Sequence, residues 1–311
     1  MGERGVWSWD LSEIAERSFT DNVVELMTGR ISALEGATAR ALQLAACIGS
    51  RFGLQRLAAV LEVEPAAAAT TLWPAIEAEL VVPLDDSYRL MQTEAAGDLD
   101  PRYRFAHDRV QQAAHDLLSE GDRAATHLQL ARAELDAGEL QDEGLFSIAT
   151  HANFGAAQVV ETSERARYAR LNLQAGRKAK RSAAFEPALR YLLAGRAFLA
   201  DPWGGDGYPL AFELAEIHYL VGEHEAAEAL FAELLEHSTE ALDRARIFNL
   251  KLVLYGNTGR YPEAIDCAVQ ALAHCGERFS ARPGKAGLSL ELLRTLRLLR
   301  GKTPEGLQDL Q

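Results

Sequence analysis

From about residue 120 the chain repeats itself, and that restricts its fold more than any other feature. Three phrases share one pattern: Phe185-x-x-Ala188, Gly222-x-His224-x-x-Ala227-x-x-x-Phe231 and Gly259-x-Tyr261-x-x-Ala264, spaced 39 and then 37 residues apart. Each phrase opens the second helix of a pair. A glycine suits the tight turn, an aromatic follows two places on, and a small Ala lets paired helices cross closely. A unit that cannot bury its apolar face alone must stack on its neighbours, so such periodicity predicts an α-solenoid. The logic is that of the tetratricopeptide (TPR) repeat, with units slightly longer than the usual ~34 residues. SLELLRTLRLLRGKT starts one more apolar helix near the end. With no polar capping repeat after it, the expectation is an incomplete solenoid, and either a fragment or a partner beyond Gln311.

Upstream of the repeats the order of elements changes. TDNVVELM reads as a helix start, with Asn22 as cap and Glu25 closing a capping box. TARALQLAACIG is a helix ended by Gly49 as a left-handed cap, RFG a short link, and LQRLAAVL a second helix. PAAAATTLWPAIEAEL is a third, with Pro65 suited to its first turn and Pro74 expected to bend or restart it. VVPLDDSYRLM reads as strand, Asp-Asp-Ser turn and strand, with YRF at 103–105 extending the pairing. Three helices and then a β-hairpin are the order of a winged helix. The expected class is therefore mainly α: an N-terminal aromatic segment and helix over 1–35, a winged-helix domain with a short β-hairpin over 36–119, and a TPR-like α-solenoid over 120–311. Ala and Leu dominate the apolar residues, which favours helix because unbranched side chains lose little rotamer freedom there.

The stretch FAHDRVQQAAHDLL asks whether this is a catalytic chain. Read as one helix, it has a stripe of Val110, Ala113, Ala114, Leu117 and Leu118, with His107 at its border and Asp108, Gln112, His115 and Asp116 opposite. His107 and His115 lie roughly 12 Å apart along such a helix, too far to share a zinc ion. The order His107-Asp108-Arg109 is not that of a kinase catalytic loop. GKT at 301–303 lacks the first glycine and preceding strand of a phosphate-binding loop. The expectation is no catalytic residue, no cofactor and no metal, hence not an enzyme.

The net charge of −13 disfavours nucleic acid and anionic membranes as partners. The third winged-helix helix carries no Lys or Arg, where DNA reading needs basic or amide side chains. A DNA-binding transcription regulator remains the alternative, through Arg51 or Arg56. Cys47, Cys267 and Cys275 read as buried reduced thiols, and the N-terminus lacks the apolar run of a signal peptide, so a cytoplasmic protein is expected. Candidate interaction residues are Trp7 and Trp9, the trio His107, Asp108 and Arg109, and the basic run Arg177, Lys178, Lys180 and Arg181.

The phrases WSWD, TDNVVELM, LAACIG, FAHDRVQQAAHDLL and LNLQAGRKAKRSAAFEPALRYL, in that order, resemble one bacterial family. Its members are large signalling proteins with a serine/threonine kinase domain, a STAND-type (AAA-like) ATPase, a helical tail, a GAF domain and often a sensor histidine kinase. The resemblance runs from residue 7 to about 200 and more loosely beyond. It implies that this chain is the segment just after the nucleotide-binding core, with protein partners. The winged helix would pack on the ATPase domain while the superhelix senses an effector. Kinase and phosphate-loop motifs are missing here, so those activities are not implied.

Overall fold

The computed structural model describes residues 19–92, 99–138, 143–274, 276–277, 279–280 and 284–300. These residues form fourteen α-helices and one small sheet. The chain divides into two compact units, residues 1–182 with 190–200, and residues 183–189 with 201–311.

The first unit begins with α1 (Phe19–Ser32), α2 (Gly36–Ile48), β1 (Arg51–Gly53), α3 (Leu54–Leu61), α4 (Pro65–Glu77), β2 (Val81–Pro83), β3 (Arg102–Phe105) and α5 (Asp108–Asp116). The strands form an antiparallel sheet in the order β1-β3-β2, with Phe52 opposite Tyr103 and Val82 opposite Arg104. One continuous core holds the helices on this sheet: Ile31, Leu42, Leu57, Leu72, Leu80, Tyr103, Phe105 and Val110 are all buried in it. The rings of Phe52 and Tyr103 stack at 5.7 Å. Asp100 Oδ1 accepts from the Gln55 amide at 2.8 Å, satisfying a donor of the first turn of α3.

Several local expectations change. RFG is not a link but β1, an edge strand paired to β3. SYRLM is not a strand: residues Asp86–Gln92 form a 3₁₀ helix, and β2 pairs with β3 instead. The cause lies at Asp85, whose carboxylate accepts from the Ser87 amide (3.0 Å) and hydroxyl and from the Arg102 amide (3.1 Å). Its side chain thus competes for backbone donors and closes a turn where a hairpin would have continued. These hydrogen bonds, the Ser87 hydroxyl foremost, hold the Asp85 carboxyl below its usual range. Helix α1 starts at Phe19, so Asn22 falls within its first turn rather than at its cap. Pro74 does not restart α4, which runs through it unbroken. It falls in the last turn, where one lost hydrogen bond costs little against burial of Leu72 and Ala75, and the Thr38 hydroxyl donates to the nearby Thr71 carbonyl at 2.9 Å. Gly49 does end α2 with positive φ, but at 148° it is extended rather than left-handed helical. Pro65 occupies the first turn of α4 as expected.

The same unit continues with α6 (Glu120–Asp136), α7 (Glu143–Phe154) and α8 (Thr162–Arg181); α9 (Phe185–Phe198) follows, with its first residues assigned to the second unit and the rest to the first. Helices α6 and α7 pack as a helical hairpin that the repeat pattern had not marked. The second unit contains two more hairpins: α10 (Gly207–Leu220) with α11 (His224–His237), and α12 (Ala241–Asn257) with α13 (Tyr261–His274). Its core gathers Leu210, Leu214, Ala227, Phe231, Leu234, Ile247, Phe248 and Cys267. Helix α14 (Lys285–Leu299) follows, with Leu288, Leu292, Leu293 and Leu296 exposed.

Positive φ marks the ends of the first helices, at Gly138 (76°), Gly222 (87°) and Gly259 (72°). The equivalent turn between α8 and α9 uses Ala183 at φ 56°. A left-handed residue with a Cβ costs roughly 1–2 kcal/mol, part of which glycine returns through its freer unfolded chain. Ala183→Gly is therefore expected to stabilise by roughly 0.5–1 kcal/mol, read as a higher urea midpoint. Ala188→Gly, at a buried mid-helix site, is expected to lower it. The small-residue logic also holds in space: Ala188 and Ala227 are fully buried, as are Leu192 and Phe231 one turn later.

Candidate functional site

The densest group of chemically capable side chains lies in the first unit, where α2, α5, α6 and α7 converge. Each arrives by ordinary helix periodicity. In α2, Leu44, Ala45 and Cys47 are on the buried side, and Cys47 packs with Val60, Leu118 and Leu130. In α6, His127, Leu130, Ala131 and Glu134 form a buried stripe at i, i+3, i+4 and i+7. From α7, His151 meets that stripe. His115, near the end of α5, completes the group half-exposed, its side chain 36% accessible.

Within the group, Nδ1 of His127 and Nδ1 of His151 are 2.8 Å apart. The two rings have centroids 5.1 Å apart, and the Phe154 ring also stacks with His127 at 4.8 Å. Nε2 of His151 lies 3.9 Å from Glu134 Oε1. That carboxylate oxygen also accepts from the Ser147 hydroxyl at 3.0 Å and is 3.4 Å from Arg56 Nη1. Nδ1 of His115 is 3.5 Å from both Arg123 Nη1 and Asp116 Oδ1. One ligand atom each from Cys47, His115 and His127 lie within 4.8 Å of one another. A cleft of about 520 Å³, lined by His115, Glu120, Arg123, His127, Phe154 and Gln158, opens onto the two histidines, while Cys47 is buried outside its lining.

Burial dominates the electrostatics. Desolvation, helped by the charge of neighbouring His115 and Arg123, lowers the pKa of His127 to about 4. Desolvation, then His127 and Arg56, lowers His151 to about 4. Both rings are then neutral at pH 7, and their short contact itself requires at least one of them to be, because two imidazoliums cannot share an Nδ1–Nδ1 hydrogen bond. Burial pushes the Cys47 thiol up to about 11, against the opposing pull of Arg123 and Arg40. A thiol held protonated is a poor nucleophile. The arrangement therefore offers two neutral imidazoles and a soft sulfur as donors.

The residues singled out from sequence lie elsewhere. His107 is the residue preceding α5, in extended conformation and exposed, not at the border of a helical stripe, because the helix begins at Asp108. Asp108 and Arg109 are exposed, and Arg109 Nη1 donates to Gln112 Oε1 at 2.7 Å. Val110, Ala113, Ala114 and Leu118 do form the buried stripe. The basic run occupies the last turn of α8, with Arg177, Lys178 and Lys180 half-buried and Arg181 exposed. Lys178 Nζ sits 5.4 Å over the Phe146 ring, a cation–π contact. Trp7, Trp9 and the GKT at 301–303 lie outside the described residues. Sequence reasoning weighed His115 only against His107 on the same helix. It missed Cys47, His127 and His151, which come from three other helices and share no local spacing. The one available hint was a pair of histidines on apolar helix faces.

No protein-family profile matches the chain. It is 25% identical over 324 aligned positions to hybrid signal transduction histidine kinase G of Dictyostelium discoideum, covering 87% of this chain and 9% of that protein. A structural comparison aligns 97% of the chain with 46% of a signal transduction ATPase with numerous domains (STAND) protein with a tetratricopeptide repeat sensor from Pyrococcus horikoshii, at 14% identity and a TM-score of 0.33. The chain thus spans a small part of the signalling protein it matches in sequence and under half of the solved structure. Among the described residues, no helix is long and apolar enough to cross a membrane.

Proposed function

We propose that this chain is a non-catalytic regulatory module of a multidomain signalling ATPase or kinase. In this reading the sheet-bearing lobe is a winged helix that packs on a nucleotide-binding domain outside this chain, and the helical hairpins are a TPR-like sensor for an effector or partner. Binding at the hairpins would bias the lobe's contact by favouring one of two arrangements. One observation carries the proposal: similarity to a signal transduction histidine kinase extends over 87% of the chain yet fills 9% of that protein, as a module within a larger machine would. The surface chemistry agrees. The exposed side of α4 presents Ala66, Ala67, Thr70, Trp73 and Glu77, with Trp73 stacked on Tyr88 and hydrogen-bonded to Glu77. An apolar and acidic face suits a protein surface and repels a phosphate backbone. Arg56, one of the two arginines on which the DNA-binding alternative rests, lies 3.4 Å from Glu134.

The test first asks whether a phosphate-loop ATPase domain is encoded beside this chain, then pairs the two by calorimetry with ADP and with a non-hydrolysable ATP analogue. Binding that differs at least tenfold between the nucleotides, weakened by Trp73→Glu, is the expected result. ATP turnover by the chain alone would overturn the proposal. So would salt-dependent duplex-DNA binding lost with Arg51→Ala, which would favour the transcription regulator.

A further inference from the structure

We propose that Cys47, His115 and His127 form a binding site for a divalent transition-metal ion, best suited to zinc, joining α2 and α5 of the sheet-bearing lobe to α6 of the first helical hairpin. The inference stands independently of the regulatory reading. Its first basis is proximity: a thiol sulfur and two imidazole nitrogens from three helices lie within 4.8 Å of one another. Tetrahedral zinc, with bonds of about 2.0–2.3 Å, holds its ligand atoms about 3.5 Å apart. Closing the difference takes small rotations, and His115, half-exposed at the cleft, has room to make them.

The second basis is the hydrogen-bond relay behind His127. Nδ1 of both His127 and His151 lie on the same 2.8 Å contact, so one ring donates and the other accepts. Glu134, beside Nε2 of His151, favours a proton on that nitrogen. His151 Nδ1 is then the acceptor and His127 Nδ1 the donor, which leaves a lone pair on Nε2 of His127. A metal-ligating histidine commonly donates its other ring N–H to a fixed acceptor; here that acceptor is the His151 ring, with the Glu134 carboxylate 3.9 Å beyond it acting through its charge. His115 has its Nδ1 beside Asp116 and Arg123, so coordination through Nε2 preserves that contact as well.

The donor set selects the ion. One thiolate and two imidazoles suit zinc and exclude calcium or magnesium, which want oxygen. Binding would release the Cys47 thiol proton to solvent and form a Zn–S bond, with no change in oxidation state. Three protein ligands would leave a fourth position for water. One thiolate against Zn²⁺ leaves a single positive charge, moderated by Glu134 behind the relay.

The experiment uses the full chain with Cys267 and Cys275 replaced by serine, freed of metal and titrated with Co²⁺ as a spectroscopic probe and then with Zn²⁺. Expected are one equivalent bound, a near-ultraviolet thiolate-to-cobalt charge-transfer band bleached by Zn²⁺, and a higher melting temperature with Zn²⁺. Cys47→Ser should abolish the band. His115→Gln should weaken binding while the fold, followed by far-ultraviolet circular dichroism, stays intact. His151→Phe should weaken it about 10–100-fold through the relay, and His107→Gln should change nothing. Failure of the parent chain to develop the thiolate band, or a band that survives Cys47→Ser, overturns the site. Equal Zn²⁺ affinity in the parent and in folded His115→Gln would overturn it too.

Discussion

Phe231→Ala is expected to destabilise the second unit by about 3–5 kcal/mol, the range for emptying a fully buried aromatic site. The ring has no exposed surface and shares the buried face of α11 with Ala227, Leu230 and Leu234. A domain's whole stability is only about 5–15 kcal/mol, so this one change should bring the unit close to its unfolding midpoint. Hydrogen exchange reads it directly: amides of His224–His237 should lose protection, whereas Leu193→Ala, at an exposed position, should shift stability by less than about 0.5 kcal/mol. Phe231→Leu, which keeps most of the volume, should cost markedly less. Equal protection in Phe231→Ala and the parent would mean that the hairpin does not depend on this ring.

Mild acid should weaken the first unit through His127 and His151. Their folded pKa values are lowered to about 4, against about 6.5 when unfolded. Between those values the unfolded chain binds protons that the folded one refuses, so stability is full above pH 6.5 and is lost as pH falls toward 4. At pH 5 the loss amounts to roughly 2 kcal/mol for each ring. The groups facing the pair are His115, Arg123, Arg56 and Glu134, and the three that are or become cations add to the penalty of charging either ring. Carboxylates act in a separate window. Glu164, held low by a bidentate pair with Arg132 at 2.8 Å, contributes stability above the ordinary carboxylate range and loses it only below that. Urea midpoints at pH 7.5 and 5.0 therefore isolate the histidines. The double variant His127→Phe, His151→Phe should lose most of the pH dependence that the parent shows. An undiminished dependence in the variant would assign it to other groups.

Legibility from the sequence followed range. Helix positions, Pro65 at its first turn, the buried stripe of α5 and the glycines at 222 and 259 were all readable, because each depends on neighbours within a few residues. The errors sit where distant partners decide. RFG became a strand because β3, far along the chain, offered it hydrogen bonds; SYRLM lost its strand because Asp85 claimed the nearby donors first. Pro74 was tolerated because its helix was already anchored by Leu72 and Ala75. Ala183 shows the converse: the fold imposed a left-handed turn that its side chain does not favour.

What the amino-acid order determined alone was a helical chain of paired segments, since periodicity and turn chemistry act over one or two turns of backbone. What only the tertiary structure decided was which polar side chains meet. His115 read as a solvent-facing residue and Cys47 as a buried thiol, while His127 carried no local signal, until three helices packed and brought them together. Burial then removed the water that would have kept those imidazoles easy to protonate. That environment belongs to the packed helices and to no segment of the sequence.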